Sequence, residues 1–165
     1  MLDLPTKNEV IELLPYLTEQ ELDELDRLLT DDPPLWQPNP DHPDGTPNTQ
    51  RLAYESTADV IGLSGTAGWG KTNLLLGLAA NKHKRSVIFR RVFPNLRQAI
   101  EDSREIFNRE GSDHSKDSFN ESLHRWSLDD GKKMLEFEAC QFEADKYKQR
   151  GRPRDLYCFD EAPEF

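Results

Sequence analysis

Apolar positions along this chain fall into short blocks whose period changes several times. Within "TEQELDELDRLL" (18–29), Leu22, Leu25, Leu28 and Leu29 repeat at helical spacing, which predicts an amphipathic helix. Thr18 and Glu21 fit a capping box at its start, each side chain bonding the other's backbone N–H. A shorter apolar run, Val10 to Leu14, precedes Pro15. Residues 31–49 then hold six prolines and a glycine, a density that no regular element survives; Trp36 is the expected packing anchor there. Ala58 to Leu63 is a short apolar run ending in Ser-Gly and predicts a buried strand. Leu74, Leu75, Leu76, Leu78, Ala79 and Ala80 predict a helix apolar on most sides. "SVIFRRVF" (86–93) reads as the next strand, closed by Pro94. "NLRQAIEDSREIFNRE" (95–110) reads as a helix whose core face is Leu96, Ile100, Ile106 and Phe107.

Further on, "SLHRWSL" and "KKMLEFEA" flank Asp129-Asp130-Gly131, the pattern of a β-hairpin with a glycine-containing turn. "DKYKQRGRPR" reads as a basic loop and "DLYCF" as a last buried strand, followed by Asp160 and Glu161. Strands alternating with helices predict an α/β fold. Its sheet is mostly parallel and flanked by helices, with a β-hairpin insertion and a helical N-terminal arm. The arm and its proline-rich linker take residues 1–49, and the core takes 50–165.

Composition adds one asymmetry. The chain has 165 residues and a net charge of −10. Residues 1–59 carry three basic and fourteen acidic side chains, a net of −11, so residues 60–165 are close to neutral at +1. The acidity belongs to the N-terminal third and does not exclude nucleic-acid binding by the rest. Cys140 and Cys158 show no C-x-x-C spacing and read as small core residues of a reduced, intracellular protein. A signal-peptide pattern is not seen, nor any stretch near the length of a membrane span, so the expectation is a soluble cytosolic chain.

The chemistry centres on Gly65 to Thr72, "GTAGWGKT", which fits G-x-x-x-x-G-K-[ST] at every fixed position. Such a loop needs an apolar strand before it and a helix after it, and the pattern predicts both. Gly65, Thr66, Ala67, Gly68, Trp69 and Gly70 would turn backbone N–H groups toward phosphate oxygens. The helix beginning at Lys71 adds the positive end of its dipole. Lys71 can reach the β- and γ-phosphates, and the Thr72 hydroxyl can ligate Mg²⁺. Asp160, ending an apolar strand, takes the position of an aspartate that holds the same Mg²⁺. Glu161 follows directly and can accept a proton from an attacking water, which points to hydrolysis that drives motion.

"LPYLTEQELDELDRLL", the proline-rich stretch with Trp36, "NTQRLAYESTADVIGLSGTAGWGKTNLLLGLA", "SVIFRRVFPNLRQAIEDSREIF" and "FDEAPEF" occur in this order. Together they resemble the N-terminal ATPase domain of tailed-bacteriophage terminase large subunits. The resemblance covers nearly the whole chain; its more specific parts are "FRR-x-x-P-x-L" and "DE-A-x-x-F". It implies a RecA/ASCE-like P-loop NTPase fold that hydrolyses ATP with Mg²⁺ to translocate double-stranded genomic DNA into a procapsid. The implied partners are a portal protein, a small terminase subunit and further copies of the chain in a ring, in the host cytoplasm and away from membranes. A nuclease domain would follow.

The resemblance also implies roles for single residues. Gln50 matches an adenine-contacting glutamine. An arginine is needed to stabilise charge on the transferring phosphate. Thr66, Ala67, Gly68 and Trp69 include none, leaving Arg90, Arg91, or an arginine of the 150–154 cluster acting on a neighbouring subunit.

Two basic clusters could meet DNA phosphates without sequence preference: Lys82, Lys84 and Arg85, and Lys146, Lys148, Arg150, Arg152 and Arg154. His83, His114 and His124 lack partners at metal spacing, and Trp126 reads as hairpin packing. Only five residues follow Asp160. Further strands would be expected beyond it, so the expectation is a truncated sheet with an open edge and weak or absent hydrolysis. A helicase-type ATPase and a non-catalytic nucleotide-binding module are the alternatives.

Overall fold

In the computed structural model the described residues are 16–18, 21–22, 34–65, 68–107 and 117–165. They fall into two units, Met1–Pro34 and Leu35–Phe165. In the first, the Thr18 N–H donates to Glu21 Oε2 at 2.8 Å and the Glu21 N–H donates to Thr18 Oγ1 at 3.3 Å. This is the expected capping box, and the bonds donated by Thr18 hold the Glu21 carboxyl below its ordinary value. The remainder of the 18–29 helix and the Val10–Leu14 run lie outside the described residues.

The second unit is α/β. Asn48 caps α1 (Thr49–Glu55), its side chain accepting from the Gln50 N–H. Helix α2 (Lys71–Asn81) leads into β1 (Arg85–Arg90), then α3 (Phe93–Phe107), β2 (Ser118–Asn120), β3 (Arg125–Leu128), β4 (Lys133–Ala139) and β5 (Leu156–Phe159). A 3-10 helix, Glu143–Gln149, separates the last two strands, and a 3-10 turn, Ala162–Glu164, follows β5.

The sheet order is β2-β3-β4-β1-β5. β1 pairs in parallel with β4 on one side and β5 on the other, while β2, β3 and β4 form an antiparallel meander. The hairpin forms where the Asp-Asp-Gly turn predicts it. Asp129, Asp130 and Gly131 all take positive φ, 51°, 56° and 85°, a conformation these residue types tolerate. Its second strand is not an insertion, however. β4 is a parallel neighbour of β1 and carries buried Leu135 and Phe137 in the middle of the sheet.

The larger apolar cluster joins the sheet to two helices, and Val87 and Phe89, on the opposite side of β1 from Ile88, are buried as well. Ile88, Leu135, Phe137 and Cys158 meet Leu76, Ala79, Ala80, Leu96, Ala99 and Phe107 of α2 and α3. Trp126 stands edge-on to Phe107, ring centroids 5.3 Å apart, and donates its indole N–H to Ser103 Oγ at 2.8 Å. The packing role expected of Trp126 holds.

Three expectations change. Residues 58–63 form no strand: Val60 is 88% exposed, and only Leu63 of the run is half-buried. β1 already has β4 and β5 on its two sides, and a run of six residues containing Asp59 and Gly62 gains too little from an outer edge of the sheet to offset its ordering. β5 is an edge strand, not a buried one: Cys158 faces the core, while Tyr157 and Phe159 are exposed. Pro94 does not close a strand but lies in the first turn of α3, where its missing N–H has no intrahelical partner to lose.

Trp36 is the anchor that the proline-rich stretch predicts. Its ring lies on the backbone of α2 at Gly77, where an added Cβ would come within 2.0 Å of it. Its carbonyl accepts from Asn81 Nδ2 at 2.6 Å. Alanine at a helix-interior glycine ordinarily gains about 1 kcal/mol. Here Gly77→Ala must evict a buried indole, so a net loss of about 2 kcal/mol is expected, read as a lowered midpoint in thermal or urea unfolding. A raised midpoint would contradict the packing of Trp36 on Gly77.

Candidate functional site

Parallel pairing sets the level of the site. β1 and β5 run side by side with Phe89 opposite Phe159, so the next residues, Arg90 and Asp160, emerge together at the carboxyl ends of neighbouring strands. That end of a parallel sheet is where open α/β folds bind ligands. Helix α2 begins beside it and brings Thr72 in its first turn.

These residues form one cluster. Asp160 Oδ2 accepts from Thr72 Oγ1 at 3.0 Å, from Arg90 Nε at 2.9 Å and from Arg90 Nη2 at 2.7 Å. Arg90 Nη1 donates to the Asn95 carbonyl at 2.6 Å and lies 3.8 Å from Glu161 Oε1. The pair is buried, its side chains 13% and 6% exposed for Arg90 and Asp160. Glu161 is exposed and holds a left-handed backbone, φ 59° and ψ 46°, a conformation costly for a residue with a Cβ. The chain turns sharply there into the 3-10 turn and keeps the Glu161 carboxylate beside Arg90.

The loop before α2 is irregular. Gly68 and Gly70 both take positive φ, 80° and 77°, the conformation that calls for glycine. Lys71 bends back so that Nζ donates to the Gly65 carbonyl at 2.9 Å. Gln50, 3% exposed, donates from Nε2 to the carbonyls of Trp69 at 3.0 Å and Gly70 at 3.1 Å. Thr66 and Ala67 lie outside the described residues.

The fold therefore brings Lys71, Thr72, Arg90, Asp160 and Glu161 to one end of the sheet, with Gln50 packed against the loop. Arg91 turns away, its Nη1 donating to the carbonyls of Glu164 at 3.0 Å and Phe165 at 3.3 Å. Asn95, whose carbonyl orients Arg90, carries no sequence signal, because only main-chain geometry recruits it.

The basic clusters are less free than their spacing suggests. Lys146 pairs with Glu143, Lys148 with Asp145, Arg152 with Glu138 and Arg154 with Glu136. Arg150 stacks over the Tyr147 ring, 4.5 Å from its centroid. Lys82 donates to the Tyr54 carbonyl at 2.6 Å. His83 lies 3.9 Å from Asp155, and burial holds its pKa below the ordinary value. Cys158 is a free, buried thiol pushed up to about 12, mainly by burial and further by the charge of Asp160, and is inert as a nucleophile. Among the described residues, histidine, cysteine and carboxylate side chains nowhere form a group of three that could hold a metal. A cation at Thr72 and Asp160 would need oxygen ligands from substrate or water.

No protein-family model, curated protein or solved structure matches this chain. Among the described residues no helix is long and apolar enough to cross a membrane.

Proposed function

We propose that this chain is an ATP-hydrolysing domain of the kind that drives DNA translocation in the terminase large subunits of tailed phages. One observation carries the reading: Thr72, in the first turn of the helix after a G-x-x-x-x-G-K-T loop, hydrogen-bonds Asp160 at the end of a parallel strand, and Glu161 comes next. The strand that ordinarily precedes such a loop is missing among the described residues, and it is the helix beginning at Lys71 and the Lys71 ammonium that suit phosphate oxygens. Thr72 and Asp160 would hold Mg²⁺, which supplies charge neutralisation on the β- and γ-oxygens. Arg90 is the one strand-end arginine turned into the cluster, and so the preferred group for stabilising charge on the transferring phosphoryl.

In hydrolysis the oxygen of a water attacks the γ-phosphorus while the bond to the β,γ-bridging oxygen breaks. Glu161 takes the proton that water loses, and ADP leaves with the negative charge of the bridging oxygen. Double-stranded DNA, a portal protein, a small terminase subunit, assembly into a ring and docking on a procapsid in the host cytoplasm belong to this proposal through the sequence resemblance alone. The pairing of Lys146, Lys148, Arg152 and Arg154 with acidic side chains disfavours the 146–154 cluster as a ready-made DNA patch.

A second reading, nucleotide binding without turnover, is favoured by the engagement of Asp160 with Arg90. Binding of a fluorescent ATP analogue with Mg²⁺ and steady-state ATP turnover with and without duplex DNA separate the two. Lys71→Ala is expected to weaken binding by about 10–100-fold, the worth of a charge-assisted phosphate contact. Binding with no turnover in any state of DNA selects the second reading; duplex unwinding selects a helicase. Unchanged binding by Lys71→Ala overturns the phosphate-loop assignment.

A further inference from the structure

Gln50 stands where the sequence resemblance implies a contact to adenine, yet its amide is already committed. Both Nε2 hydrogens have acceptors, the carbonyls of Trp69 at 3.0 Å and Gly70 at 3.1 Å. Oε1 accepts from the Asn39 N–H at 3.1 Å. The amide orientation is self-consistent, since a flipped group would set its oxygen against two carbonyls. The side chain is 3% exposed. Reading a purine edge takes a donor and an acceptor facing the ligand, and here both donor hydrogens face the protein.

The surroundings are built to receive the amide. An added Cβ at Gly70 would lie 2.4 Å from Gln50 Nε2, so Gly70 serves both its positive φ and the approach of Gln50. On the other side, Asn39 belongs to a strap fastened on α2. The Trp36 ring covers Gly77, the Trp36 carbonyl accepts from Asn81, and Asn81 also bonds the Tyr54 hydroxyl at 3.1 Å. The strap thus runs from the C-terminal half of α2 to the loop that precedes the helix, and Gln50 is its hook.

We infer that Gln50 is a positioning residue for the phosphate loop, not a reader of the base. Because the peptide unit is planar and trans, a carbonyl and the following N–H point to opposite sides. Holding the carbonyls of Trp69 and Gly70 toward Gln50 turns the N–H groups of Gly70 and Lys71 the other way, toward the position an anion would take. The Gly70 carbonyl also accepts from the Leu74 N–H at 3.0 Å, so the hook aligns the loop with the first turn of α2. The ligand class that depends on Gln50 is therefore the polyphosphate chain, whatever base it carries. This rests on the nucleotide reading above.

The test measures calorimetric affinity with Mg²⁺ for ATP and for inorganic tripolyphosphate, which has no base. Gln50→Met keeps the length and removes the amide. Gln50→Leu removes the donors and the acceptor without adding charge. Each is expected to weaken both ligands by the same factor, about tenfold for the two lost bonds, with near-UV circular dichroism unchanged. Weakened ATP with unaltered tripolyphosphate means that Gln50 contacts the base and overturns the inference. Two variants that do not fold, or that fold and bind both ligands like the unsubstituted protein, overturn it as well. If the unsubstituted protein binds neither ligand, the nucleotide reading falls and takes this one with it, an outcome distinct from the others.

Discussion

Replacing Glu161 with glutamine is expected to lower ATP turnover by about 10²–10⁴-fold while leaving nucleotide affinity close to that of the unsubstituted protein. The carboxylate is exposed at the end of β5, one residue past Asp160 and 3.8 Å from Arg90. A group placed there can take a proton from water without being required to hold the nucleotide. Glutamine keeps the size and hydrogen bonding but cannot act as a base at neutral pH. The backbone adds an independent check, since Glu161 sits at φ 59° and ψ 46°. A left-handed residue with a Cβ costs roughly 1–2 kcal/mol, and strain of this sort accumulates where geometry serves function. Glu161→Gly should recover about 1 kcal/mol and raise the unfolding midpoint by about 2–4 °C, with turnover lost as in Glu161→Gln. Stability rising as activity falls would mark the strained turn as part of the site. Full turnover by Glu161→Gln would remove Glu161 from the reaction.

Much of the local chemistry is legible in the sequence. The glycine loop, the helix from Lys71, the Asp129–Gly131 turn, the Thr18–Glu21 cap and the Trp36 anchor each depend on residues close together in the chain or on a strong side-chain preference. What periodicity does not carry is pairing. Among the described residues Ala58–Leu63 has the composition of a strand but no partner, and β5 reads as buried yet lies at the edge of the sheet, because strand burial is decided by neighbours far away in sequence. β4 looks like half of a hairpin insertion and is instead a parallel neighbour of β1, through a register that no local pattern encodes. The site divides the same way. Lys71 and Thr72 follow from a contiguous motif. The contact of Arg90 with Asp160 spans 70 residues and exists only because β1 and β5 pair in parallel. Arg90 and Arg91 are adjacent and alike in sequence, yet Arg90, the last residue of β1, joins the cluster, while Arg91, just past the strand, reaches the carbonyls of Glu164 and Phe165.

That contact yields the second large effect. In the absence of nucleotide and Mg²⁺, Arg90→Ala is expected to destabilise the protein by about 3–5 kcal/mol, the usual result of removing one partner from a buried pair and leaving the other charge behind. Arg90 gives Asp160 Oδ2 two of its three side-chain hydrogen bonds, the third coming from Thr72, so Thr72 alone must solvate the carboxylate once the guanidinium is gone. Asp160→Ala leaves the complementary defect, a guanidinium 13% exposed with the Asn95 carbonyl at 2.6 Å, Thr72 Oγ1 at 3.5 Å and Glu161 Oε1 at 3.8 Å. The double substitution removes both charges, so it should cost less than the sum of the two, with a coupling of about 0.5–3 kcal/mol in urea unfolding. Simple additivity would mean that the two side chains do not interact. Divalent cation separates this from a generic packing loss. If Asp160 can hold Mg²⁺, adding the metal with a nucleotide should restore stability to Arg90→Ala more than to the unsubstituted protein, because the cation then supplies the charge that Asp160 has lost. An equal shift in both proteins would place the cation away from Asp160 and leave Arg90 as a structural counter-charge alone.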